Sequence, residues 1–298
     1  MPCFLRWKDM NHFIKSDYKE KDFEKELKDF IEMKFSELNL SENFPNLLIK
    51  EDVLNILDKY CTVIYYPLTK EINNGFHITN VPCGGKVCNF VFINTAQTME
   101  KQVFTAAHEL GHIWDVDEYL INKMHLIDEP SQREAIINRF AAILLMPEES
   151  FKKYYSQEIK KYSENGRMAI FDLYKVIVSL MNYFFVPIKS VIFRLVELEL
   201  IMDDSIVELL LGNGPISEEK IQAVITKLLQ DYGCDKFIKP SEKKWIDGLA
   251  EILDKAEKED KIPNSKIQKL REMFELEKAS IPQQMTDIVD IPQGKENS

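Results

Sequence analysis

The sequence predicts an α+β fold, on three observations: an amphipathic helix near its start, a cluster of short β-prone runs separated by turn residues, and helical periodicity from residue 99 onward. Alternating βαβ units would interleave the two patterns instead. The first helix is expected over Tyr18 to Leu38, where Phe23, Leu27, Phe30, Ile31, Phe35 and Leu38 recur at helical spacing. After a break at Ser41 to Pro45, Leu47 to Tyr60 reads as a second helix. Cys61 to Tyr66, Gly75 to Thr79 and Asn89 to Asn94 read as strands, with Asn73, Asn74, Gly84 and Gly85 in the turns. Helices are then expected over Met99 to Trp114, Ser131 to Met146, Met168 to Tyr183 and Pro187 to Leu200, Pro187 suiting a first helical position because its missing N–H would be unpaired there anyway. Beyond Gly214 the chain becomes more charged, with helices expected at Ser217 to Tyr232, Ser241 to Lys258 and Ser265 to Lys278 and a loose tail from Ile281. Four parts follow: a helical extension 1–46, a central domain 47–214, a helical region 215–280 and a flexible tail 281–298.

Composition narrows the class. With 298 residues and 45% hydrophobic content the chain can bury a substantial core. Its 38 basic residues against 49 acidic ones leave a net charge of −11, which opposes nonspecific binding to nucleic acid or anionic membrane, so no direct nucleic-acid partner is expected. The richest apolar runs, Ala141 to Met146 and Val176 to Met181, fall far short of the ~18 residues that span a bilayer. Met1 to Phe13 lacks the apolar core of a secretory signal, and a cytoplasmic location is expected. Five scattered cysteines do not suggest a disulfide framework, and Cys83 and Cys88, in Cys-Gly-Gly-Lys-Val-Cys, read as a turn.

His108-Glu109-Leu110-Gly111-His112 carries the chemistry. Two histidines four apart on a helix share one face and can bind a single zinc. At 100° per residue Val103, Ala106, Ala107, Leu110, Ile113 and Trp114 cluster on one side, and Thr105, His108, Glu109 and His112 on the other. Such a helix packs by its back and shows its histidines to a cleft. Chance surface histidines are the competing interpretation.

A catalytic zinc takes a third protein ligand and keeps a position for water. Glu118 lies six residues after His112, where HExxHxxGxxH enzymes place a ligand, but Asp115 stands where those enzymes turn the chain on glycine. Asp128 or Glu129 would have to reach in from a loop. Glu134 opens a helix whose Ile136, Ile137, Phe140, Ala141, Ala142, Ile143, Leu144 and Leu145 make it apolar almost all round and hence buried. A carboxylate on a buried stripe needs a compensating charge or metal, which favours Glu134 as the ligand. Ser131-Gln132-Arg133-Glu134 also has the form of a capping box, in which Glu134 would only cap the helix. Asn138, one turn on, suits the task of holding a ligand histidine by its second ring nitrogen.

Val103-Phe104-Thr105-Ala106-Ala107-His108-Glu109-Leu110-Gly111-His112, followed by Glu134 to Asn138 and Phe140-Ala141-Ala142-Ile143-Leu144-Leu145-Met146-Pro147, closely resembles the ImmA/IrrE family of bacterial and phage zinc metallopeptidases. The resemblance runs from about Leu47 to Ile201, including Phe185-Val186-Pro187 through Arg194-Leu195; Ile136 and Ile137 depart from the usual pattern without touching a ligand position. It implies a zincin-like α+β domain with one Zn2+ per chain on His108, His112 and Glu134, and Glu109 as the catalytic base. It also implies a protein substrate, a helix-turn-helix transcriptional repressor of a phage, mobile element or stress operon. Two alternatives share the site: a noncatalytic regulator that sequesters a repressor, and a zinc-protease toxin or effector. The strand Asn89 to Asn94 is expected either to offer a substrate an edge or to be an ordinary core strand. His125 and Tyr119 are considered for stabilising the oxyanion and left unassigned. Residues 217–278 read equally as a packed appendage or a recruiting module.

Overall fold

The computed structural model describes residues 20–40, 47–68, 74–83, 85–165, 167–213 and 217–276. The expected tail 281–298, Gly84 and the break at Ser41 to Pro45 lie outside them. Helix α1 (Glu20–Glu37) is followed by a short α2 (Asp52–Leu57), strands β1 (Thr62–Tyr66), β2 (Gly75–Cys83) and β3 (Lys86–Asn94), and α3 (Met99–Ile113). Next come α4 (Val116–Met124), α5 (Pro130–Leu145), α6 (Glu148–Ile159), α7 (Ile170–Phe184), α8 (Ile188–Glu197), α9 (Asp204–Leu210) and α10 (Glu218–Asp231). The α+β order is the one expected.

Contacts divide the chain into two compact units, Met1–Lys243 and Lys244–Ser298. The expected boundary at 214/215 therefore differs from the division the contacts make: Ile221, Ile225, Leu228 and Leu229 of α10 are buried in the same core as the central helices. The same holds for the N-terminal extension, since Phe23, Leu27, Phe30, Ile31 and Phe35 of α1 join that core. In the second unit β4 (Trp245–Ile246) and α11 (Leu249–Lys258) replace the longer helix expected over Ser241 to Lys258, and α12 (Asn264–Met273) stands where a helix is expected from Ser265 onward. Gly248, at φ +68°, supplies the left-handed turn that starts α11 late. Leu253 and Ile267 form a small core there, beside a buried Arg271 paired with Asp254 and Glu257.

In the first unit β2 pairs antiparallel with β3, and β3 pairs parallel with β1. β3 is thus interior, the core-strand alternative for Asn89 to Asn94, and β2 forms the edge. The tight β2–β3 connection passes through Gly85 at φ +84°, with Cys83 opposite Lys86, so the cysteine pair does sit at a turn. Register sorts the two faces. Val63 and Tyr65, Val91 and Ile93, and the paired Gly75 and His77 share the inner face, while Phe76 and Ile78 are exposed on the outer one, Phe76 stacked on Phe92 at 5.0 Å.

Helix α3 lies beneath this inner face and is covered from the other side by α5, which explains why nearly all of it is buried. Two glycines set these contacts. A Cβ on Gly75 would meet Thr105 Cγ2 at 2.5 Å and the Phe92 carbonyl oxygen at 2.6 Å, and one on Gly111 would meet Phe140 Cδ1 at 2.8 Å and Ile137 at 3.2 Å. Three described helices, α4, α6 and α9, lie in runs for which the sequence predicts no element. Among the described residues no single helix is long and apolar enough to cross a membrane, and the apolar pair α7 and α8 is bent by 103° at its break and packed into the core.

Gly111→Ala tests the α3–α5 contact. Overpacking against the buried Phe140 should cost about 1–3 kcal/mol, partly offset by about 1 kcal/mol of helix propensity. A melting point lower by about 2–5 °C, with weaker metal retention at limiting metal, is the expected outcome.

Candidate metal centre

Three side chains converge where α3 faces the first turns of α5. One nitrogen from each of His108 and His112 and a carboxylate oxygen of Glu134 all lie within 4.8 Å of one another. Glu134 Oε2 is 3.4 Å from His108 Nε2, and Oε1 is 3.7 Å from His112 Nε2. Donors bound at about 2.0–2.1 Å around a tetrahedral zinc stand about 3.4 Å apart, so these spacings fit an ion held between them. The set is graded in depth: the His108 side chain is 3% exposed, His112 15% and Glu134 47%, so the approach from solvent is on the Glu134 side.

Asn138, one turn after Glu134, accepts a hydrogen bond from His108 Nδ1 at 3.1 Å. That bond places the proton of the neutral imidazole on Nδ1 and its lone pair on Nε2, the atom facing Glu134. The helix carrying both residues starts with Pro130 in its first turn and Glu129 at its N-cap, where no side chain caps it. Ser131 is therefore already inside the helix and Glu134 too far along to form a capping box. Arg133 anchors the same turn through Asp117 of α4 at 2.7 Å and Asp128 at 2.6 Å.

The other candidate carboxylates stay outside the cluster. Asp128 is engaged by Arg133, which holds its carboxyl below the usual range, and Glu118 and Glu129 are exposed. Asp115 adopts the left-handed turn at φ +54° that a glycine would otherwise supply, yet Glu118 still falls on the solvent side of α4. His125 is exposed at the end of α4, and Tyr119 packs on Phe30 of α1 with 4.8 Å between ring centroids.

Glu109 is buried and apart from the three donors. Its Oε2 accepts a hydrogen bond from His77 Nδ1 at 2.7 Å, and the His77 ring lies 4.6 Å from that of His112. His77 was not singled out in the sequence. Alternation along β2 put it on the face of Gly75, but a two-residue period reveals neither depth nor a partner 32 positions away.

Residues 58–196 match the IrrE N-terminal-like domain model, Peptidase_M78. The chain carries a domain of this family. No curated protein matches the chain. The IrrE N-terminal-like domain brings a peptidase function of the metallopeptidase type, and its matched span holds α3, α5 and all three converging donors. α1, buried in the same core, precedes that span.

Charge is distributed unevenly over the site. Burial, with His108 beside it, holds His112 down to about 4, while the bond to Glu109 raises His77 above its ordinary 6.5 against the effect of burial. In the metal-free chain the unfolded state therefore binds His112's proton between pH 6.5 and about 4 while the folded state does not. The fold loses up to about 3 kcal/mol from this group as pH falls through that window. His77 works oppositely: its contribution is present below 6.5 and lost as pH rises through its raised value. NMR titration of metal-free protein should find His112 titrating near 4 and His77 above 6.5. Glu109→Gln should bring His77 back down; an unmoved His77 would contradict the assigned cause.

Proposed function

We propose that this chain is a zinc endopeptidase that cuts a protein in the cytoplasm, its substrate a helix-turn-helix repressor. The observation that carries the reading is the convergence of His108, His112 and Glu134, with Glu109 adjacent in sequence yet outside the donor set. Two imidazoles and one carboxylate are a catalytic zinc donor set, leaving a coordination position for water. A zinc ion bound there supplies a Lewis acid and a water of lowered pKa. Glu109 takes a proton from the attacking water and passes it to the leaving amine. Asn138 holds His108 in the tautomer that presents Nε2. Along β2, the edge strand beside the site, an extended substrate finds backbone donors and acceptors. The choice of a repressor rests on the family resemblance of the two motifs.

Metal analysis of the purified protein should find about one zinc per chain, reduced by His108→Ala or His112→Ala. Glu109→Gln should keep the zinc and abolish proteolysis, whereas Glu134→Ala should weaken zinc retention itself. Normal zinc content in both histidine variants would remove the site.

The substrate is tested by incubating the zinc-loaded protein with the helix-turn-helix repressor encoded beside it. A single cut that a chelator prevents is expected, and stable binding without cleavage would favour sequestration.

A further inference from the structure

We propose that His77 is a positioning residue for Glu109, pinning one carboxylate oxygen so that the other is held ready for the proton of the attacking water. The proposal rests on Glu109 being the base and adds a residue from a different element to the reaction. A glutamate on a helix reaches its carboxylate through three rotatable torsions, and nothing in the His-Glu-x-x-His spacing determines where the two oxygens end up. Here the deciding contact comes from the sheet. His77 Nδ1 donates to Glu109 Oε2 at 2.7 Å, while the same ring leans on His112 at 4.6 Å between centroids, tilted by 36°. His77 is thus seated between the base and one of the metal donors.

The fold is built to make that contact. Gly75 precedes His77 by two residues on the same face of β2, and only the absence of a side chain there lets the strand approach Thr105 on α3. Opposite His77 on β3 stands Val91, fully buried, which holds this part of the strand against the core. A short hydrogen bond from an imidazole to a buried carboxylate is among the stronger neutral or charge-assisted contacts, and it restricts the carboxylate's rotation.

Because His77 engages Oε2, the proton from water goes to Oε1. The remaining hydroxyl bonds to the scissile carbonyl carbon, and as the C–N bond breaks the proton on Oε1 moves to the departing nitrogen. His77 keeps its Nδ1 proton throughout, which is what separates a positioning residue from an acid or base in this reaction.

The test uses the full-length, zinc-loaded chain and a quenched fluorogenic peptide chosen because the wild type cleaves it. His77→Ala should lower kcat by about 10- to 100-fold, leave KM within about twofold, and keep about one zinc per chain. Asparagine places its amide nitrogen near the position of Nδ1, so His77→Asn should recover kcat to within about fivefold of wild type, whereas His77→Gln, which mimics the far ring nitrogen, should not. Independently of activity, the hydrogen-bonded N–H resonance assigned to His77 Nδ1, distinct from that of His108 Nδ1, should be present in the wild type and lost in both His77→Ala and Glu109→Ala. Recovery by glutamine and not asparagine, unchanged kcat in His77→Ala, or a hydrogen-bonded His77 N–H resonance that survives Glu109→Ala would each overturn the proposal. Full activity in Glu109→Gln would instead overturn the base assignment beneath it, and the resonance would still report whether the contact exists.

Discussion

Everything at the site depends on how closely α5 can approach α3, and that distance is decided at Gly111. With no side chain there, Phe140 and Ile137 pack directly against the helix that carries both histidines. Close packing is what brings the first turns of α5 over the last two turns of α3, so that Glu134 and Asn138 reach the two edges of His108, one through Nε2 and the other through Nδ1. Dense interiors transmit such displacements rather than absorb them, so a shift of an ångström at Gly111 would be felt at the metal donors. The glycine of His-Glu-Leu-Gly-His is therefore a packing residue in a chemical motif.

Electrostatics then sort groups that lie within a few ångströms of one another. Three imidazoles and two carboxylates share this half-buried space, and burial alone would leave the charged forms of all five unfavourable. The arrangement resolves that conflict by division. His112 is held neutral, which suits a metal ligand because no proton need be displaced at neutral pH. His77 is drawn toward its charged form by Glu109, away from the donor set. Glu134, the most exposed of the donors, stays nearest to solvent, which favours its ionised form.

The N-terminal helix is as much a part of this unit as the motif helices. Arg194 of α8, fully buried, donates to the Met146 carbonyl at the end of α5, to Glu197 and to Glu24 of α1, and the Arg139 guanidinium of α5 lies 5.1 Å from the centre of the Phe23 ring. Removing one member of such a buried network leaves the others unpaired at about 3–5 kcal/mol, so α1, α5 and α8 are coupled well beyond their apolar contacts. A division of the chain drawn from motif coverage separates residues that the core holds together.

The sequence by itself determined the α+β order, the motif helix, the pairing of His108 with His112, and Glu134 with Asn138 on one stripe of the next helix. Those features rest on periodicity, which acts over a few residues and is written into the order of side chains. It also left open whether Glu134 capped its helix, because a capping box and a ligand position share one pattern until the helix start is known; Pro130 and Glu129 decided it. Only tertiary structure could show β3 to be interior and β2 the edge, since strand order arises from pairing between distant segments. The same reason hid His77. Its partner is 32 residues away and its approach depends on a missing Cβ at Gly75, and neither leaves a periodic trace in the chain.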